Sequence, residues 1–216
     1  MPAVFHPHAN LLAFLGFLVL IALLVTGIIL WRLATAWPHG MGEPVQQPVP
    51  FSHKHHVRDD GIDCRYCHTS VESSAFAGMP PTATCMTCHS RLFTDAPLLE
   101  PVVDSLASGR PVRWNRVHQL PGFVYFNHSI HVNKGVGCAT CHGPVDRMPL
   151  TWRHAPLTMQ WCLACHRAPE KYLRPRERVF DMHWQAPSDQ ERLGRQLIQA
   201  YRVRVGEITD CSTCHR

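Results

Sequence analysis

The sequence predicts a mainly α-helical fold with extensive coil, one N-terminal transmembrane helix, and a core that is not built from its own side chains alone. Three observations lead there: ten cysteines in a single repeated pattern, 18 prolines and 13 glycines in 216 residues, and one long apolar stretch near the N-terminus. Prolines and glycines at that density interrupt regular structure and suit short helices wrapped by loops.

The cysteines form five pairs, Cys64/Cys67, Cys85/Cys88, Cys138/Cys141, Cys162/Cys165 and Cys211/Cys214, and none is left over. A histidine follows each pair: His68, His89, His142, His166 and His215. Two thiols three positions apart reach both vinyl groups of one haem as thioethers. The next residue then lies under the ring, with its imidazole at the proximal iron position. A zinc ribbon uses two CxxC pairs per metal, which orphans the fifth pair and leaves every histidine unexplained. A disulfide framework likewise has no use for a histidine after every second cysteine. The pattern therefore predicts five covalently bound c-type haems, which supply much of the core of a mainly α, coil-rich multihaem cytochrome c domain. Two propionates per haem add about ten negative charges to the formal +5 of the chain. Its basic balance is thus no argument for nucleic acid, and some Arg and Lys are expected to pair with propionates.

Leu11 to Trp31 carries no charge and is closed by Arg32, the length a helix needs to cross a bilayer. Trp31 and Trp37 stand where interfacial aromatics belong. Ala34-Thr35-Ala36 resembles a signal cleavage site, but the apolar run is longer than a usual signal core and no basic residue precedes it. Residues 1–37 are read as a retained anchor. Arg32 on the following side mildly favours a cytoplasmic C-terminal domain. Haem attachment to CxxCH takes place outside the cytoplasmic membrane, and that requirement decides the orientation. The expectation is a single-pass protein of the bacterial cytoplasmic (inner) membrane with its haems on the periplasmic side.

Residues 38–50 hold four prolines and two glycines and read as a stiff, extended linker to a haem domain over 51–216. That domain contains a repeat. Phe51-Ser-His53-Lys-His55-His56-Val57 leads to Cys64, and Phe126-Asn-His128-Ser-Ile-His131-Val132 leads to Cys138. Each CxxCH that follows is succeeded by another, at Cys85 and at Cys162. Two di-haem modules, about 51–89 and 126–166, are expected, with a fifth haem at 211–215. A short helix is expected around 102–107. An amphipathic one is expected over 188–205, where Leu193, Leu197, Ile198 and Tyr201 share a face.

Five proximal histidines leave five distal positions. His6, His8 and His39 flank the apolar span and are read as interfacial. His53/His56 and His128/His131 are spaced i, i+3, which projects both rings from one face of a helical turn toward two neighbouring irons. His55, His154 and His183 are left without iron. The fifth distal ligand stays open between His118 and the methionines Met79, Met148 and Met159, each near a haem motif. Packing is the plain alternative for a methionine beside haem. No open substrate site is apparent.

Two resemblances sharpen this reading. The Phe-x-His-x-x-His stretches resemble those of small class III multihaem cytochromes, where both histidines are distal ligands. The segments FSHKHH…GIDCRYCHTSVESSAFAGMPPTATCMTCHS, FVYFNHSIHV…GVGCATCHG and LTMQWCLACHR resemble the pentahaem subunit of bacterial alternative complex III, a quinol:electron acceptor oxidoreductase. That resemblance implies an electron-transfer subunit with no substrate site of its own. Its implied partners are an integral-membrane quinol-binding subunit, an iron–sulfur subunit and a mono-haem cytochrome c. Electrons would pass from quinol through the haems to a periplasmic acceptor or a terminal oxidase. A stand-alone membrane-anchored multihaem quinol dehydrogenase of the nitrate/nitrite respiration type is the alternative. A haem-rich structural or scavenging protein is a third reading.

Overall fold

The computed structural model describes residues 8–36 and 40–215. His6, Trp37 and His39 lie outside them. The chain divides into two units, Met1–His39 and Gly40–Arg216.

The first unit is helix α1, Ala9–Ala36. Its 28 residues rise about 42 Å at 1.5 Å each, more than the ~30 Å hydrocarbon core of a bilayer. Within it, Ala9–Ala34 is apolar and exposed along its length.

The second unit is mainly helical. Among the described residues it holds no strand, only isolated bridges such as Met41 with Arg153 and Pro44 with Trp152. The helices are short: α2 Cys64–Cys67, α3 Thr82–His89, α4 Glu100–Ser108, α5 His128–Asn133, α6 Cys138–His142, α7 Met159–Arg167, α8 Gln190–Ala200 and α9 Cys211–Cys214. The cysteine pair of each CxxCH motif thus falls on a helix, α2, α3, α6, α7 or α9, while His68 and His215 lie just past the ends of α2 and α9. Local caps start several of them. Asp63 accepts from the Arg65 backbone, Asn127 from Ile130 and Thr158 from Trp161.

The proline-rich stretch is extended but is no free spacer. From Gly40 onward it packs into the unit: Gly42 N donates to Arg153 O (3.0 Å) and Val45 N to Thr151 O (3.1 Å). Gln47 and Asn115 exchange hydrogen bonds of 2.8 Å in both directions. Val49 is buried with Leu99 and Val102 of the central insertion.

The two repeats differ by one residue, since Phe51 to Cys64 is one longer than Phe126 to Cys138. The excess is taken up by a π-helical turn over Lys54–Asp59, where the second repeat has the α-helical α5. A wider turn absorbs one extra residue without displacing its flanks. The aromatic packing is the same on both sides of that difference. Phe51 lies 4.9 Å from His53 and 4.5 Å from His56, and Phe126 lies 4.8 Å from His128 and 4.5 Å from His131.

Ten apolar side chains are buried among the described residues, in small clusters such as Val71, Val132 and Val179. That is a thin core for a unit of this length. The expected amphipathic helix is α8, which turns Gly194 and Leu197 inward. It sits so close to residues 169–171 that a Cβ on Gly194 would come within 2.0 Å of Glu170 O. That neighbour is backbone and cannot swing aside. Gly194→Ala should lower stability by roughly 1–3 kcal/mol, read as a fall in Tm with haem content unchanged.

Candidate haem sites

The structure pairs the histidines across gaps of one size. His56 faces His89 at 6.2 Å between ring centroids, His128 faces His142 at 6.3 Å, and His131 faces His166 at 6.1 Å. Two imidazoles each bound through Nε2 at about 2.0 Å to one metal hold their centroids about 6 Å apart. These residues therefore fit a bis-histidine iron. The fourth His-x-x-His member, His53, is half-buried, with His68 near enough to act on its charge. Burial, and then the nearness of His68 and His56, push it down to about 4, so its imidazole is neutral at pH 7.

The outer nitrogens fix which atom is left for iron. His68 Nδ1 lies 2.7 Å from Gly78 O, His89 Nδ1 3.2 Å from Leu92 O, and His166 Nδ1 2.7 Å from Ile208 O. His215 Nδ1 lies 3.3 Å from Phe123 O. On the distal side, His56 Nδ1 is 2.9 Å from Ser52 O, His128 Nδ1 2.9 Å from Ala75 O, and His131 Nδ1 2.8 Å from Asn127 O. A carbonyl only accepts, so Nδ1 carries the proton in all seven and Nε2 keeps the lone pair a metal needs. This outer hydrogen bond is the usual support of a ligating histidine.

No disulfide joins these cysteines, and sulfurs of different motifs lie near one another. Burial and then Cys85 raise Cys67. Burial and then Cys64 push Cys138 up to about 12, and burial and then Cys165 push Cys141 up to about 12. Cys162 is raised by burial and then by Cys214.

Two thioether candidates are more open than the other eight. Cys88 and Cys211 are exposed, whereas Cys64, Cys67, Cys85, Cys138, Cys141, Cys162, Cys165 and Cys214 are half-buried. The reason at Cys88 is local. Its motif partner Cys85 packs against the cluster of Val49, Leu99 and Val102, but Cys88 lies outside that cluster. The polar contact at its sulfur is the Thr87 hydroxyl of the adjacent residue, at 3.9 Å. The second motif thus offers one sheltered and one open sulfur, and a haem joined to both would present an edge to solvent.

The other candidates are placed differently. His55 is exposed between Asp59 and Asp60, 3.9 and 3.5 Å away. His118 lies edge-on to His142 at 4.4 Å, with its Nε2 buried and without a hydrogen-bond partner. His154 packs against Gly143, and His183 Nε2 is 3.5 Å from the buried Asp146 carboxylate. Met148 is fully buried, whereas Met79 and Met159 are exposed. The aromatic ring beside His215 is Phe123, at 5.9 Å. Sequence reasoning missed Thr151, whose Oγ1 lies 2.9 Å from His53 Nδ1, 98 residues away in sequence. It also missed the Tyr66 Oη to Thr87 Oγ1 bond (2.8 Å) between the first two motifs. Neither carries a local signal.

Comparison with known proteins agrees with this chemistry. Residues 124–216 match the family described as cytochrome c7 and related cytochrome c, and residues 32–98 match the class III cytochrome C family. Over 108 residues the chain is 38% identical to the menaquinone reductase, multiheme cytochrome c subunit, of Nitratidesulfovibrio vulgaris, a match covering 50% of this chain and 50% of that protein. Over 90 residues it is 33% identical to cytochrome c-552 of Bacteroides fragilis, covering 38% of this chain and 18% of that protein. The matches thus span about half the length of the first relative and a small part of the second. Motifs, ring spacing and both matches agree: residues 32–98 are similar to class III cytochromes c and residues 124–216 to cytochrome c7, families that carry covalently bound haem, and half of the chain is similar to the multihaem subunit of a menaquinone reductase.

Proposed function

We propose that the chain is a five-haem electron relay, anchored by α1 with its haem unit in the periplasm. It serves a membrane quinol-oxidising complex of the alternative complex III kind. Its partners there are a membrane quinol-binding subunit, an iron–sulfur subunit and a mono-haem cytochrome c. Each haem supplies an iron that takes up and gives back one electron. The residues of the chain hold those irons six-coordinate and close together.

The observation that carries the reading is the continuity of contacts between motifs. The second and first motifs join through Tyr66 and Thr87. The first and third meet where the Arg65 guanidinium lies 4.5 Å over Phe180, which packs in the cluster that also holds Cys138. The third and fourth share α5, whose two histidines face His142 and His166. The fourth and fifth join where His166 bonds to Ile208 O, three residues before Cys211. The spatial order is thus second, first, third, fourth, fifth, with the second and fifth motifs at the ends. Those two end motifs are the ones that carry the exposed sulfurs of Cys88 and Cys211, as suits the entry and exit of a relay.

The named relative is a menaquinone reductase subunit, and its name speaks for exchange with a quinone pool. The relay itself runs in either direction, and the potentials at its ends choose. Gentle detergent extraction should bring the chain down with several large subunits, and menaquinol should reduce its haems in those membranes. Isolation of the chain alone with quinol activity intact would favour the stand-alone dehydrogenase. A reporter active only when exported should work when fused after Arg216, and activity of a cytoplasm-only reporter there would overturn the orientation.

A further inference from the structure

His53 and His128 occupy equivalent places in the two repeats, and Phe51 and Phe126 hold them alike. Their outer nitrogens do not end alike. His128 Nδ1 donates to the Ala75 carbonyl, and the other two members of the repeats, His56 and His131, donate to the carbonyls of Ser52 and Asn127. His53 alone among these four meets a side-chain hydroxyl, Thr151 Oγ1, at 2.9 Å.

That difference has chemical weight. A peptide carbonyl is a strong acceptor fixed by the backbone, whereas a hydroxyl oxygen is a weaker one that can turn. The stronger the acceptor on Nδ1, the more basic Nε2 becomes, and the more the ferric state is favoured. The hydroxyl is also well held. Thr151 lies on an extended segment paired with residues 41–45, through Val45 N to Thr151 O (3.1 Å) and Gly42 N to Arg153 O (3.0 Å). The stretch that follows α1 in sequence therefore braces the residue that orients His53.

We propose that Thr151 is a positioning residue for the iron held between His53 and His68, and that its hydroxyl sets that haem's potential higher than a carbonyl in its place would. The inference rests on the reading of His53 as a distal ligand. The test is a haem-by-haem redox titration of the purified holoprotein, with low-temperature electron paramagnetic resonance to follow each iron's ligand field. Thr151→Val removes the acceptor at nearly constant volume and should shift one potential upward, with five haems retained and four potentials unmoved. Thr151→Asp puts an anionic acceptor there and should shift the same potential downward. Thr151→Ser should restore the native value. If Thr151→Val does not accumulate, Thr151→Asp and Thr151→Ser carry the test alone. Unmoved potentials in the Val or Asp variant, or a common drift of all five, would overturn the role of the hydroxyl. His53→Met separates the two layers: if it moves no potential, the ligand reading itself fails, and if it moves one while the Thr151 variants do not, only the hydroxyl inference falls.

Discussion

Replacing Cys138 and Cys141 together with alanine should remove one haem by intact mass and cut the accumulated protein several-fold or more. Cys138 sits in the cluster of Val71, Val132 and Val179, where residues of both repeats meet. Cys138 N also donates to Val179 O at 3.1 Å. The haem attached there would lie between His128 and His142, at the middle of the motif order. Few apolar side chains are buried elsewhere to compensate, so its loss opens a void that the chain cannot close. The same double change at Cys211 and Cys214 should lose one haem but spare most of the protein. Cys211 is exposed, and α9 is four residues tied back chiefly by Tyr125 N to Cys214 O and the Val124–His215 bridge. Equal accumulation of the two variants and wild type would mean that haems contribute little to this fold.

The contrast between those two motifs was not legible in the sequence, although the motifs themselves were. CxxCH chemistry is local: five consecutive residues contain the thioethers and the proximal ligand, so composition and spacing suffice. Spacing says nothing of shelter, however, and the exposure of Cys88 beside a half-buried Cys85 depends on where Val49, Leu99 and Val102 gather. The Phe-x-His-x-x-His repeat is local too, and it led to the facing pairs at His89, His142 and His166. What stayed hidden depends on residues distant in the chain. Ala75 O meets His128 across 53 residues, and Thr151 meets His53 across 98. A backbone carbonyl leaves no trace in sequence at all, and one threonine among many stands out for nothing. The one-residue excess in the first repeat was visible, but only the π-helical turn explains how both repeats still present their histidines alike. Residues 38–50 read as an extended linker because prolines forbid regular structure, yet the same rigidity suits residues 41–45 to pair with residues 151–153.

Changing His53, His56, His128 or His131 to methionine should each raise one haem's potential and leave the other four nearly unmoved. Thioether favours the ferrous state more than neutral imidazole does. The shift should be on the order of 0.1 V, a modest part of the ~0.8 V that axial ligands span. His55→Met should change nothing, because His55 projects to solvent beside Asp59 and Asp60. For the fifth iron, α7 places Met159 one turn before Cys162, whose thiol neighbours Cys214 of the last motif. His118 lies instead against His142 of the third motif. Met159→His should therefore lower one potential, whereas His118→Met should leave the fifth haem where it was. A downward shift in the first variant assigns the sulfur ligand. An upward shift of the fifth haem in the second would assign His118 and remove Met159. If His55→Met moves a haem while His56→Met does not, the register of the π-helical turn is wrong by one residue, and the pairing of His56 with His89 falls with it.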